Sequence, residues 1–203
     1  KHCAQPMRVE DLFTGKPEPT SIAYAISKIA SLELGFAFNK QSKTDRYLCL
    51  TPNSVFGPND NFNSESGHVL SSLICRFQKA KEINQDTITL WGTGEPMREF
   101  VFSEDLADAI VFLLERGFTS ADKPVNVGSG FEISISALAN LIKSEVGFEG
   151  EICWDTSKPD GSPRKLLDNS VLQNLGWSPE TDIKLGIKSS YEWYLTNRSR
   201  SAA

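Results

Sequence analysis

Apolar residues along this chain change their spacing several times, and each change marks an element. From Ile22 to about Gln41 they recur three and four residues apart, the repeat of one helical face, with Thr20 or Ser21 placed to cap the start. The run "RYLCLT" at 46–51 is short and unbroken, as a strand covered on both faces would be. "PNSVFGPNDNF" follows, dense in turn formers, and reads as a loop. Helical spacing returns from about His68 to Glu82. "TITLWG" (87–92) and "EFVF" (99–102) are short strands on either side of the turn "GTGEPMR". Ser103 then caps a helix, "SEDLADAIVFLLERG", whose acidic first turn suits the positive end of a helix dipole. Beyond it lie a strand and glycine turn in "KPVNVGSG", a helix "SISALANLIKSEVG" closed by Gly147, and the strand "GEICWD". A basic loop "KPDGSPRK", a short helix "DNSVLQNLGW" and an amphipathic helix "IKLGIKSSYEWYLTN" complete the order, with "RSRSAA" as a fraying tail. Residues 1–21 hold three of the ten prolines and no periodicity, so they form a loop. Strands that alternate with helices predict an α/β architecture with crossover connections.

Length and charge narrow the picture only a little. A chain of 203 residues, 39% hydrophobic and 23% charged, can bury a sizeable core. Its net charge of −5 argues against nucleic acid or an anionic membrane as partner, and leaves anionic small ligands to local arginines. No run of about 18 apolar residues occurs, and no charged-then-apolar leader opens the chain, which reads as cytoplasmic. Cys3, Cys49, Cys75 and Cys153 are widely spread, so buried reduced thiols are expected; with only His2 and His68 beside them, no metal site is expected. The polar opening from Lys1 reads as a loop belonging to something longer.

Candidate chemistry begins with glycines. "GTG" (92–94) and "GSG" (128–130) each follow a strand, yet neither has a third glycine at the dinucleotide offset or an acidic residue closing a second strand about 20 residues on. Both are read as plain turns. Tyr24 and Lys28 are one helical turn apart, on one face. A phenol with an ordinary pKa near 10 becomes useful at neutral pH when a neighbouring ammonium stabilises its phenolate. Alone, the motif is weak, and the pair reads better as a core tyrosine with a snorkelling lysine.

Its company points further. "IAYAISK" is followed by "TPNSVFGPNDNF", "GHVLSSLICRF", "LWGTGEPMREFVFSEDLADAI", "VNVGSG" and "SKPDGSPRKLLD". In that order these resemble the Y-x-x-x-K helix, P-x-N-x-[YF]-G-P loop and R-x-F-[VI]-x-x-x-D-x-[AV] segment of the extended short-chain dehydrogenase/reductase family, which contains nucleotide-sugar epimerases, dehydratases and reductases. The wording around "WGTGEPMREF" and "SKPDGSPRKLLD" looks most like the branch that epimerises GDP-4-keto-6-deoxymannose at C3 and C5 and reduces C4 with NADPH to give GDP-L-fucose. The resemblance runs from the first residues to about Asn197.

It implies the C-terminal part of a Rossmann-type doubly wound sheet plus a smaller α/β substrate-binding domain. Residues 1–60 would be the remainder of the dinucleotide-binding domain, 61–197 mainly the substrate domain with segments returning to the sheet, and 198–203 a tail. Tyr24 would donate a proton to the C4 oxygen, and Lys28 would lower the tyrosine pKa and hold the nicotinamide ribose. Pro52, Asn53, Ser54 and Val55 would lie against the nicotinamide end of the cofactor. His68 would act as acid in epimerisation and touch the cofactor; its plainer role is to cap the helix that starts there. Arg76, Trp91, Arg98 and Lys165 would bind the GDP-sugar, guanidinium forks suiting a diphosphate. Trp91 could equally be core, and Asp105 and Asp108 read as helix acids. The resemblance also implies a homodimer packed through the helix of Tyr24.

Departures bound this reading. The family's glycine-rich turn, early strands and Ser-Ser-Cys stretch would precede Lys1, and Cys3 is not in the position of the family thiol. A 4-epimerase or 4,6-dehydratase of the same superfamily, or a non-catalytic GDP-sugar-binding or dimerising module, stand as alternatives. Without the glycine-rich turn the chain is expected not to bind NADPH at micromolar concentrations. Calorimetric titration checks this, and micromolar affinity would contradict it.

Overall fold

The computed structural model describes residues 2–119 and 122–201. Its first long element, α1 (Ile22–Ser42), covers the predicted helix. Ser21 occupies the N-cap position without a side-chain hydrogen bond, and Lys43 turns the chain out in the left-handed region at φ 51°. Strand β1 is Leu50–Pro52, not the whole of 46–51. The reason is Asn39, buried on α1. Its side chain donates to the Tyr47 carbonyl at 2.8 Å and accepts from the Tyr47 amide at 2.9 Å, so Tyr47 has no groups left for a ladder.

The stretch expected to be loop contains strand β2 (Ser54–Phe56). Asn53 breaks the run, its side-chain oxygen accepting from the Ser54 amide at 2.9 Å, and the chain resumes in a different sheet. Helix α2 (Val69–Glu82) leads to β3 (Thr87–Trp91), and β4 (Met97–Phe102) starts two residues before "EFVF". Helix α3 is Ser103–Glu115. Phe102 is its N-cap, so Ser103 is the first helical residue and not the cap expected of it. Strands β5 (Val125–Val127) and β6 (Glu132–Ser134) precede α4 (Ile135–Val146). Ser134 caps α4 by accepting from the Ala137 amide, and Gly147 at φ 70° closes it as expected. Then follow β7 (Glu151–Asp155), the two-residue β8 (Arg164–Lys165) inside the expected basic loop, α5 (Ser170–Asn174) and α6 (Ile183–Ser201). Where a tail from Arg198 is expected, α6 continues to Ser201; Ala202 and Ala203 lie outside the described residues.

Pairing is mostly parallel, as helical crossovers require. β1 runs parallel to β5 with Leu50 opposite Val125, β2 parallel to β4 with Ser54 opposite Phe100, and β3 parallel to β7 with Thr87 opposite Glu151. β4 also pairs antiparallel with β6 and parallel with β8, where Arg98 stands opposite Lys165. This mixed α/β arrangement is the Rossmann-like class expected.

Two apolar clusters hold the elements. In the larger, Leu70, Ile74 and Phe77 of α2 meet Leu138 and Ile142 of α4, Ile88 and Leu90 of β3, and Ile187, Tyr191 and Tyr194 of α6. The smaller joins Ala109 and Leu113 of α3 to Val125, Val127, Leu172 and Trp177. Fully buried side chains of this size each contribute about 1.5–3 kcal/mol. Helix α1 is different: only Gly35 and Asn39 are buried, while Ile22, Ile26, Leu34 and Phe38 are exposed.

Gly186 of α6 lies against two rings: a side-chain carbon there would be 2.7 Å from Phe56 and 3.2 Å from Phe102. Gly186→Val is therefore expected to cost about 3 kcal/mol, the upper end for overpacking a filled site. Urea denaturation checks this, and an unchanged midpoint would contradict it.

Candidate functional site

Helix α1 presents Tyr24 and Lys28 together, with the Lys28 ammonium 5.4 Å from the centre of the Tyr24 ring. The tyrosine is 66% exposed. Lys28 lines an open cleft of about 470 Å³ between α1 and β1, with Ala25, Ile29, Leu32 and Thr51. The snorkelling-core reading of the pair thus fails on exposure.

Pro52 ends β1, and Ser54 and Val55 open β2. Between them Asn53 is a structural joint. Its amide donates to the Val127 carbonyl at 3.0 Å, and its side-chain nitrogen donates to Glu99 and to the Lys165 carbonyl. With the oxygen held by Ser54, this side chain has little left to offer a ligand, and its part is to fix the loop.

Glu99 is the residue that sequence reasoning missed. It has no exposed surface, yet it carries a carboxylate. One oxygen accepts from the Gly130 amide at 2.7 Å and from Asn169; the other accepts from the Leu167 amide at 3.0 Å and from Asn53. Four donors on one buried carboxylate are what makes its burial tolerable. The signal was present: a glutamate within the apolar strand run "EFVF" must find donors or not be there.

Arg98, its neighbour on β4, is half-buried, and burial disfavours its charge while Asp160 partly offsets this. Lys165, opposite Arg98 on β8, is exposed by area, but the protein around its ammonium is dense enough to lower its pKa. Burial is the larger cause, followed by repulsion from Arg98, with Glu18 opposing. Among the described residues neither cation has a carboxylate within 4.0 Å. Arg98 lines a cleft of about 220 Å³ with Val69, Trp91, Pro159, Asp160 and Gly161. Trp91 is 73% exposed at the end of β3, so the core alternative for it is excluded, and the Lys158 ammonium lies 5.9 Å from its ring centre. Arg76 of α2 is half-buried, donates to the Thr89 carbonyl at 2.5 Å, and has its charge disfavoured by burial. Asp105 accepts from the Glu180 and Thr181 amides and Asp108 from the Trp177 indole, the structural work expected of both.

His68 stands immediately before α2, next to Val69 of the Arg98 cleft. It occupies the N-cap position of that helix, as the plainer role expects, and its carbonyl accepts from the Ser72 amide, while its side chain makes no capping hydrogen bond. The imidazole is 84% exposed, with Nδ1 3.7 Å from an Asp60 oxygen. The two clefts share no lining residue; Asn53 lies two residues beyond Thr51 of the first, and its side chain donates to the carbonyl of Lys165, which stands opposite Arg98 of the second.

The glycine turns are packed against protein. A side-chain carbon on Gly94 would fall 2.6 Å from the Trp154 ring, and one on Gly128 would fall 2.3 Å from a Glu99 oxygen. These glycines admit neighbouring side chains of the fold, which agrees with reading them as turns and not as phosphate cradles.

The profile of the NAD dependent epimerase/dehydratase family matches residues 2–128. The chain is 46% identical over 197 residues to GDP-L-fucose synthase 1 of Arabidopsis thaliana, covering 97% of this chain and 60% of that protein. It is 39% identical to GDP-L-fucose synthase of Escherichia coli K12 over 207 residues, covering 98% and 64%. A crystal structure of a GDP-L-fucose synthetase from Naegleria fowleri bound to NADP superposes with a TM-score of 0.89 at 30% identity, over 98% of this chain and 63% of that one. The chain thus spans about three-fifths of the length of the curated relatives it matches.

Glu99→Gln would turn a donor toward the two donors on one side of the carboxylate. We expect a loss of roughly 2–4 kcal/mol, the range for leaving buried polar groups unpaired. A lowered urea midpoint at unchanged slope would show it, and wild-type stability would contradict the hub.

Proposed function

The chain belongs to the NAD dependent epimerase/dehydratase family, and on that premise we propose that it carries the tyrosine–lysine pair and the GDP-sugar site of an NADPH-dependent GDP-L-fucose synthase. The observation that carries the reading is the cationic pair Arg98 and Lys165, opposite one another on β4 and β8, with no carboxylate within 4.0 Å of either among the described residues. Such a pair is unfavourable until an anion arrives, and a diphosphate supplies two charges with paired oxygens. Exposed Trp91 on the same cleft offers a flat face to a base or sugar. Identities of 39–46% to synthases over nearly the whole chain favour GDP as the nucleotide over UDP or dTDP.

For the cofactor, the residues present fit one end. The exposed Lys28 ammonium beside the open cleft on β1 suits ribose hydroxyls, whereas the two glycine turns are filled by protein and do not suit a pyrophosphate. A bound reduced nicotinamide would supply the hydride that reduces C4. The remaining chemistry belongs to side chains. The 4-keto group acidifies the protons on C3 and C5, so a base that this chain's assigned residues do not supply would take each proton to leave an enolate, and His68 would return one to the opposite face. Tyr24 then gives its phenolic proton to the C4 oxygen as that oxygen becomes an alkoxide, and Lys28 stabilises the phenolate left behind.

Two further readings accompany this one. Residues 1–60 form the dinucleotide lobe and 61–197 mainly the substrate lobe; the pairing of β5 with β1 supports the return of later segments to the first. The exposed Ile22, Ile26, Leu34 and Phe38 of α1 support a homodimer that covers them. Among the described residues no helix is long and apolar enough to cross a membrane, consistent with the cytoplasmic reading.

In the natural enzyme containing this sequence, GDP-4-keto-6-deoxymannose and NADPH should give GDP-L-fucose. Tyr24→Phe is expected to lower kcat about 10²–10⁴-fold, the worth of a positioned acid. Undiminished turnover in that variant, or equal use of a UDP-linked keto-sugar, would overturn the proposal.

A further inference from the structure

We infer that Asp60 is a positioning residue for His68, holding the imidazole with its proton on Nδ1 and leaving Nε2 for the substrate; this rests on reading His68 as an acid of the proposed reaction. Two observations on the loop between β2 and α2 carry it. Asp60 has one oxygen, Oδ2, that is buried and without a partner. Its other oxygen accepts from the Asn61 amide at 2.7 Å and lies 3.7 Å from His68 Nδ1. A carboxylate with only 17% of its side chain exposed and one oxygen unmet is a standing free-energy cost, and such groups call for a donor. The imidazole, 84% exposed and making no side-chain capping bond, can turn to the Oδ1 edge of this carboxylate, while Oδ2 stays enclosed.

The loop around Asp60 is rigid, so the carboxylate is fixed and the histidine moves to it. Phe62 stacks on Trp193 and Tyr194 of α6 at ring distances of 5.6 and 5.1 Å. Ser72 of α2 donates to the Ser64 carbonyl, and the Asn61 side chain donates to the Ser66 carbonyl. A side-chain carbon on Gly67 would fall 2.4 Å from the Asn61 carbonyl, which leaves this turn closed. A distance of 3.7 Å is longer than a hydrogen bond, and catalytic contacts commonly shorten when substrate binds. The chemistry is consistent in protons. The imidazolium gives its Nε2 proton to the enolate carbon, and the neutral ring that remains keeps the Nδ1 proton against Asp60.

The chain has only two histidines, so His2 serves as an internal reference. Long-range proton–nitrogen correlation on the ¹⁵N-labelled chain, at a pH well above the ordinary histidine value of about 6.5, reads the tautomer without substrate. We expect the proton of His68 mainly on Nδ1 and that of His2 mainly on Nε2, with Asp60→Ala converting His68 to the His2 pattern. A wild-type His68 mainly in the Nε2–H form overturns the inference, whether or not the variant folds. Undiminished turnover in His68→Gln would overturn the reading of the site on which it rests. The two failures are distinguishable, because the tautomer is measured independently of activity.

Discussion

A buried carboxylate that accepts from four donors fixes the geometry on which everything else depends. Glu99 lies in β4, and its donors come from the end of β1, from the turn after β5, and from the segment following β8. Burying an unmatched charge would cost several kcal/mol, so these segments cannot drift from it separately. Asn53, two residues beyond Thr51 of the Lys28 cleft, is held by the same group that holds Leu167 beyond Lys165. One charge thus sets the position of the tyrosine–lysine side relative to the cationic side.

Around that hub the charges are arranged unevenly. Glu99 is satisfied by neutral donors alone, and among the described residues Arg98, next in the chain and opposite Lys165, has no carboxylate within 4.0 Å. Asp160, whose carboxylate is held by the Thr93 amide and hydroxyl, offsets part of the Arg98 burial. Arg98 and Asp160 thus share one cleft with the exposed Trp91 indole, and Lys165 adds a second cation opposite Arg98.

Long elements were legible in the sequence because their periodicity exceeds any local exception: α1, α2, α3, α4 and α6 all stand within a few residues of their predicted spans. What was not legible is short or decided by one side chain. Strands β2, β6 and β8 have two or three residues each, too few for a period to register. Tyr47 left the predicted strand because Asn39, eight residues earlier, occupies its backbone. Arg98 could be suspected as a charge at the edge of an apolar strand, whereas Glu99 beside it was passed over although the same argument applied. The exposure of Tyr24 and Trp91, and the missing side-chain capping bond at His68, needed coordinates, since sequence alone cannot tell a core aromatic from a surface one.

The central claim is that Arg98 and Lys165 form a seat for the diphosphate of a guanine nucleotide. Calorimetric titration of the chain with GDP, against an Arg98→Ala variant of matched stability, tests it most directly. The account predicts saturable binding that the variant weakens by at least about tenfold, or 1.4 kcal/mol. Equal affinity in the two proteins would contradict it.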